Sequence, residues 1–242
     1  MRRAIVFGAT GTIGSAICRQ LAASGWSLYL HFNQHGERAQ ALAEELFDQY
    51  PEQDFLPIQL DLAASDSALT AFVAQLLPVN AAVFAHGITK YGLLGDQELA
   101  AIDQVLQVNL HAPIKLTKLL EKQLLARPHS RIVYLGSVYG GQGSAMETVY
   151  SASKAALSAF AQSYARETAA SGLSVNVIAP GAVASAMNAI FSPAELAAVK
   201  AEIPAGRLAK GSDIAVWVDH LLAEDSDYLT GQTIYIAGGW LR

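Results

Sequence analysis

Short apolar runs alternate along this chain with longer stretches of helical periodicity, and that alternation fixes the class of fold. The runs cover 4–8, 27–32, 55–60, 80–85, 131–136, 174–179 and 233–236. Several carry apolar residues at consecutive positions, the pattern of a strand covered on both faces. Helical stretches lie between and after them at 13–24, 37–49, 66–77, 97–126, 148–170, 193–200 and 211–223. Strand, helix and strand in series make right-handed crossovers. The expected structure is therefore α/β, a doubly wound parallel seven-stranded sheet with helices on both faces. Seven strands occupy all 242 residues as a single domain, 1–242, and the 52% apolar content fills its core without staples. Pro113 interrupts 97–126, which is expected as two helices or one kinked helix joined near 109–113. The stretch 181–210 holds Gly181, Pro193, Pro204 and Gly206. It reads as a substrate-covering lid, with an ordinary surface connection as the alternative.

Composition excludes several classes of function. The chain has one cysteine, so neither a disulfide framework nor a cysteine-rich zinc site is available, and a reducing, cytoplasmic location is expected. Cys18 falls on a packing face of the first helix and reads as a buried thiol. No apolar run approaches a membrane span. With 16 Lys and Arg against 21 Asp and Glu, the net charge of −5 argues against a nucleic-acid partner. The histidines at 31, 35, 86, 111, 129 and 220 lack metal-ligand spacing, so no metal site is expected. His31 and His35 read as serving solubility or a ribose contact.

The first strand runs into Gly8-Ala9-Thr10-Gly11-Thr12-Ile13-Gly14 and then a helix. Glycines at 8, 11 and 14 allow a tight turn, a close backbone approach and close helix–strand packing. The free amides of the helix N-terminus suit a pyrophosphate. An acid at the end of the second strand would accept both ribose hydroxyls of NAD, but the chain reads His31-Phe32-Asn33-Gln34-His35-Gly36 with no acid before Glu37. That favours NADP(H), with Asn33 and Arg38 near the 2′-phosphate, although Arg38 reads equally well as a solvated helix residue. Asp61-Leu62 stands where an adenine edge is read, or where Asp61 caps the helix starting near Ser65.

Ser137 follows the apolar strand Ile132-Val133-Tyr134-Leu135-Gly136 at its carboxyl end, where open α/β sheets hold their ligands. Tyr150 comes next, with Lys154 one helical turn beyond it on the same face. A tyrosine ordinarily ionises near pH ~10, and bringing it to neutrality takes about 4 kcal/mol. A neighbouring ammonium and an oxidised nicotinamide both act in that direction. The set suits hydride transfer between a carbonyl and an alcohol. Tyr150 would be the proton donor, Ser137 would hold the carbonyl oxygen, and Lys154 would tune Tyr150 and bind the nicotinamide ribose.

These motifs, with Val108-Asn109-Leu110, Tyr150-Ser151-Ala152-Ser153-Lys154, Val175-Asn176-Val177-Ile178-Ala179-Pro180-Gly181 and Leu229-Thr230-Gly231-Gln232, resemble the short-chain dehydrogenase/reductase family over nearly the whole chain. The resemblance implies a Rossmann-like sheet and a Ser137–Tyr150–Lys154 site. Asn109 would be its fourth member, whose backbone helps hold a water in a proton relay from Lys154. It also implies that Ile178, Pro180, Gly181 and Val183 border the nicotinamide, with Ser185 in the place of a threonine that bonds the carboxamide. Within the family, Ile203-Pro204-Ala205-Gly206-Arg207-Leu208 and the C-terminal stretch are most similar to 3-oxoacyl-[acyl-carrier-protein] reductases. That likeness implies an NADP(H)-dependent homotetramer of fatty acid biosynthesis acting on a 3-oxoacyl thioester. One dimer interface would use 97–126 and 150–169, another the C-terminal strand and 211–223. The alternatives are a dehydrogenase of a sugar, polyol or other secondary alcohol, and a dinucleotide-binding sensor or scaffold without turnover.

The chain departs from the family pattern in several places. Phe84-Ala85-His86-Gly87 stands where Asn-Asn-Ala-Gly is usual. Gly87 still lets the backbone approach the adenosine ribose, while His86 either packs against backbone or reaches the ribose or phosphates. Thr12 stands where NADP-preferring reductases often carry arginine. Ala182, Ala184 and Ala186 around Ser185 make a roomier, less polar lid. Arg127, Arg131 and Arg166 are too scattered to form an obvious landing patch for an acyl-carrier protein.

Overall fold

The first strand, β1 (Arg3–Phe7), serves both layers at once. Ala4 and Val6 pack into one face of the sheet and Ile5 and Phe7 into the other, and all four are fully buried, as the period-two geometry of a strand dictates. The computed structural model describes residues 2–185 and 191–240. β2 (Ser27–Phe32), β3 (Phe55–Gln59), β4 (Ala81–Phe84), β5 (Ser130–Leu135), β6 (Leu173–Pro180) and β7 (Thr233–Ile236) complete one sheet. Its order is β3-β2-β1-β4-β5-β6-β7, with every pairing parallel.

The helices in chain order are α1 (Thr12–Ala23), α2 (Gly36–Gln49), α3 (Asp66–Ala74), α4 (Leu99–Leu106), α5 (Ala112–Leu125), α6 (Tyr139–Gln142), α7 (Thr148–Thr168), α8 (Pro193–Glu202) and α9 (Gly211–Leu222). α1, α2 and α9 cover the Ala4/Val6 face with Ile17, Leu21, Leu42, Leu46, Ile214 and Val218. α3, α5 and α7 cover the other with Leu69, Phe72, Leu116, Leu120, Leu157 and Ala161. Each such side chain contributes roughly 1.5–3 kcal/mol when fully buried. Consecutive β-strands turn away from β1 in opposite directions, to β2 on one side and to β4 on the other. A crevice therefore opens at the carboxyl ends of β1 and β4, the switch point where ligands bind in such sheets.

The expected break in 97–126 is a π turn, Gln107–His111, between α4 and α5. Pro113 follows it in the first turn of α5, and its missing N–H gives the preceding turn no helical donor, as expected of a proline break. The π turn carries buried Asn109, and single π turns of this kind concentrate at functional sites. Within the expected lid, residues 186–190, including Ala186, lie outside the described residues. α8 starts on a reciprocal cap in which Ser192 Oγ accepts from Glu195 N and the Glu195 carboxylate accepts from Ser192 N. Arg131, one of the scattered arginines, is removed from any surface patch. It is fully buried on β5, paired with Asp227 and bonded to Ala223 O. Among the described residues, no helix is long and apolar enough to cross a membrane.

Candidate active site

A cavity of about 710 Å³ runs along the carboxyl ends of the strands from the Gly8 turn to Trp240, within the ordinary size range of ligand sites. Its first half is built on the glycine turn. Gly8 has φ +83°, and a Cβ there would stand 2.9 Å from the His86 backbone. A Cβ at Gly14 would stand 2.1 Å from Gly8 O, so Gly14 is a packing residue behind the wall. A methyl at Gly11 would meet nothing nearer than Gly8 O at 3.4 Å, so that glycine answers to the open space in front of it. Thr10, Gly11, Thr12 and Ile13 line the cavity. The first turn of α1 has no acid and no side-chain cap, which leaves its amides to an anion. This cradle fits the pyrophosphate of a dinucleotide.

His31 braces the turn. Its Nδ1 accepts from Gly8 N at 3.0 Å, and its Nε2 lies 3.0 Å from Leu60 O. A carbonyl only accepts, so Nε2 holds the proton and the ring is neutral. Burial lowers its pKa to about 4. Solubility and ribose contact, the sequence-based expectations for His31, give way to a buried structural role.

At the end of β2, Asn33 and Gln34 line the cavity, joined by Asp61 and Leu62 beyond β3. Arg38 is exposed on α2 and lies outside the cavity wall. Asp61 is not the cap of α3. Its Oδ1 accepts from Ala63 N at 2.9 Å, while Ser65 Oγ caps α3 through Ala68 N. At the end of β4, Ala85, His86 and Gly87 border the cavity. The His86 ring turns inward between Phe7 and Phe84, and its Nε2 donates to Val108 O at 3.0 Å. Nδ1 is buried without a partner. Burial first, then the charge of Lys154, lowers the His86 pKa to about 3.

The second half of the cavity gathers Ser137, Tyr150 and Lys154. Ser137 follows β5, and its Oγ accepts from Tyr139 N at 3.1 Å. Burial raises the Tyr150 phenol to about 12, against a hydrogen bond with Ser137 that pulls it down and with the negative charge of Glu147 adding to the rise. Lys154, on the same face of α7, donates from Nζ to Leu135 O at 2.7 Å and stands 5.8 Å from the centre of the Tyr150 ring. Burial lowers it to about 8. Asn109 sits behind the wall. Its Oδ1 accepts from Ile88 N at 2.9 Å, and its Nδ2 donates to Ile88 O at 2.8 Å and Ser153 Oγ at 3.2 Å. A Cβ at Gly87 would stand 3.3 Å from Lys154 Nζ and 3.5 Å from Asn109 Oδ1, so glycine there lets the two approach. Pro180, Gly181, Val183 and Ser185 line the same cavity.

The sequence matches the short chain dehydrogenase family over residues 2–195. The chain belongs to that family. The short-chain dehydrogenase described here is 37% identical over 241 residues to YmfI, an uncharacterized oxidoreductase of Bacillus subtilis, spanning 99% of this chain and 98% of that one. It is 33% identical over 237 residues to the 3-oxoacyl-[acyl-carrier-protein] reductase FabG of Escherichia coli, spanning 98% and 96%. A solved structure from Beutenbergia cavernae, provisionally assigned as an NAD(P)-dependent gluconate 5-dehydrogenase and holding NADP at low occupancy, superposes with a TM-score of 0.92. It is 30% identical and spans 99% of this chain and 96% of its own. The chain is thus a Rossmann-like NAD(P)-dependent oxidoreductase.

Sequence reasoning missed Thr89, Tyr91, Tyr139, Glu147, Leu196 and Trp240, which line the end of the cavity beyond Ser137. One signal was available. Glu147 precedes Tyr150 by three positions at the start of α7, a spacing that places both on one helix face.

Proposed function

We propose that this dehydrogenase is an NADP(H)-dependent carbonyl reductase whose substrate is a 3-oxoacyl thioester. The observation that carries the reading is the meeting of Ser137, the half-buried Tyr150 phenol and Lys154, one turn along from Tyr150, on the cavity that starts at the glycine turn. The glycine turn and Lys154 would hold a reduced nicotinamide dinucleotide there, and that group would supply the hydride for the carbonyl carbon. Ser137 holds the carbonyl oxygen, and Tyr150 Oη gives its proton to that oxygen as the alcohol forms. A phenol held near 12 is fully protonated at neutral pH, and an alkoxide is a stronger base than a phenolate, so the resting site is set for reduction. Lys154 presents its ammonium to the nicotinamide ribose. Asn109, by pinning Ile88 and Ser153, fixes the wall behind Lys154 and Tyr150.

The preference for NADP(H) rests on the neutral amides Asn33 and Gln34 at the end of β2, where a carboxylate would repel a 2′-phosphate. The NADP-bound relative and the likeness to FabG favour the same cofactor and the thioester substrate, which an acyl-carrier protein would deliver. A cytoplasmic location fits the single buried thiol, Cys18. The exposed Trp217 of α9, Tyr235 of β7 and Tyr228 support burial of this edge in a homotetramer, which light scattering tests directly. The lid reading of residues 181–210 is supported by Leu196 and Val199 of α8, which line the cavity.

The deciding experiment follows NADPH consumption with an acetoacetyl thioester. Tyr150→Phe is expected to lose more than about nine-tenths of the turnover while NADPH binds nearly as before, since only the proton donor is gone. A variant that keeps turnover overturns the role of Tyr150. Tighter binding of NADH than of NADPH overturns the cofactor preference.

A further inference from the structure

The substrate end of the cavity has an unbalanced charge. Among the described residues that line the whole cavity, the ionisable acids are Asp61, at the dinucleotide end, and Glu147; the one cation is Lys154, already donating to Leu135 O. Among the described residues no arginine lines it, and His31 and His86 are held neutral. Most of the rest of the substrate end is aromatic and aliphatic, with uncharged Thr89 and Ser185 among it. Tyr91 and Phe191 meet edge to face at 5.4 Å, Tyr139 and Trp240 at 5.9 Å, and Leu196 and Val199 complete the wall.

Glu147 occupies the N-cap position of α7 but does not cap it. Its carboxylate turns toward Thr89, whose Oγ1 donates to Oε1 at 2.9 Å. The other oxygen, Oε2, accepts no hydrogen bond from the described residues. The helix N-terminus would favour a carboxylate folded back onto its own amides, and the tether to Thr89 holds it over the cavity instead. The charge is felt at the reacting group, since Glu147 raises both Tyr139 and Tyr150.

We propose that Glu147 sets substrate charge: the site takes neutral 3-oxo esters and thioesters, offers Oε2 to a hydroxyl or amide N–H on them, and rejects carbonyl compounds bearing a carboxylate beside the reacting group. This deepens the carbonyl-reductase reading and rests on it. A free 3-oxo acid would bring a second negative charge into a pocket whose described lining offers no free cation to meet it. A thioester of the same acid brings none.

The test uses one ketone in two charge states, ethyl acetoacetate and the acetoacetate anion, with NADPH and the intact protein. The wild type is expected to show kcat/KM at least about tenfold higher for the ester, the discrimination expected of a like charge at close range. Glu147→Gln, which keeps the size and an oxygen for Thr89, is expected to narrow that ratio at least about fivefold, with the gain on the anion side. NADPH titration of the variant reports that it is folded. Equal use of ester and anion by the wild type, or an unchanged ratio in a folded Glu147→Gln, overturns the proposal and leaves the reductase reading standing. No turnover of either compound or of the acetoacetyl thioester overturns the reductase reading, and the proposal falls with it.

Discussion

Lys154 is the residue on which burial and chemistry conflict most directly. Burial lowers its pKa to about 8, so its charge at neutral pH is held against a desolvation cost, with Leu135 O as its hydrogen-bond partner. The sign follows. As pH rises through about 8 in the cofactor-free protein, the ammonium is lost, and with it a donor for the ribose hydroxyls. NADPH affinity measured by fluorescence titration is therefore expected to weaken severalfold between pH 7 and 9.5. In Lys154→Ala it is expected to be weaker throughout and flat over the same range. Equal slopes in the two proteins would remove Lys154 from cofactor binding. Tyr150 and Lys154 were legible in sequence because their spacing shares a helix face and Ser137 ends a strand. The source of the shift in Tyr150 was not legible. The expected lowering by Lys154 is absent from the cofactor-free geometry, and burial with Glu147 and Tyr139 drives the phenol the other way. Burial depends on which distant segments close over a residue, and α6 and the 88–91 stretch carry no periodic signal that would announce it.

The glycine turn separates two demands at the level of the element. Gly14→Ala places a methyl 2.1 Å from Gly8 O, an overpacking that backbone must absorb, so a loss of about 1–3 kcal/mol is expected together with loss of NADPH binding. Gly11→Ala meets only ordinary contact inside the protein, so its thermal midpoint without cofactor is expected to stay close to wild type while the cofactor-induced rise shrinks. Melting curves with and without NADPH read both variants. A Gly11→Ala protein stabilised by NADPH as fully as wild type would show that the space before Gly11 is not the pyrophosphate site. The alternation of strands and helices was legible almost to its ends, since fully buried parallel strands write their burial as unbroken apolar runs. The break at 97–126 was legible in place but not in kind. Pro113 marked it, yet the irregular turn is the π segment just before it. On that turn Asn109 reaches Ile88 and Ser153 across the wall, tertiary contacts with no local sequence signature.

Across the whole molecule, the two buried imidazoles link the dinucleotide crevice to global stability. His31 ties the Gly8 turn to Leu60 at the end of β3, and His86 ties the end of β4 to Val108 in the π turn. Protonation at Nδ1 takes from His31 the lone pair that accepts from Gly8 N, and puts a positive charge on His86 among aromatic rings and near the cationic Lys154. Both are held neutral, at about 4 and about 3 against 6.5 for an exposed imidazole. Between pH 6.5 and 4 the unfolded chain therefore binds more protons than the folded one, and stability falls as pH falls through that window. At pH 5 the loss is about 2 kcal/mol for each histidine relative to pH 7.5. Glu147, raised by its own burial, acts in the opposite direction. The urea midpoint at fixed protein concentration, which matters if subunits associate, is expected to drop clearly from pH 7.5 to 5. In His86→Ala the drop is expected to be about half as large, although that variant starts lower because Val108 O loses its donor. If wild type and His86→Ala lost the same stability over this range, His86 would not be the neutral tie between β4 and the π turn, and acid sensitivity would have to arise elsewhere in the sheet.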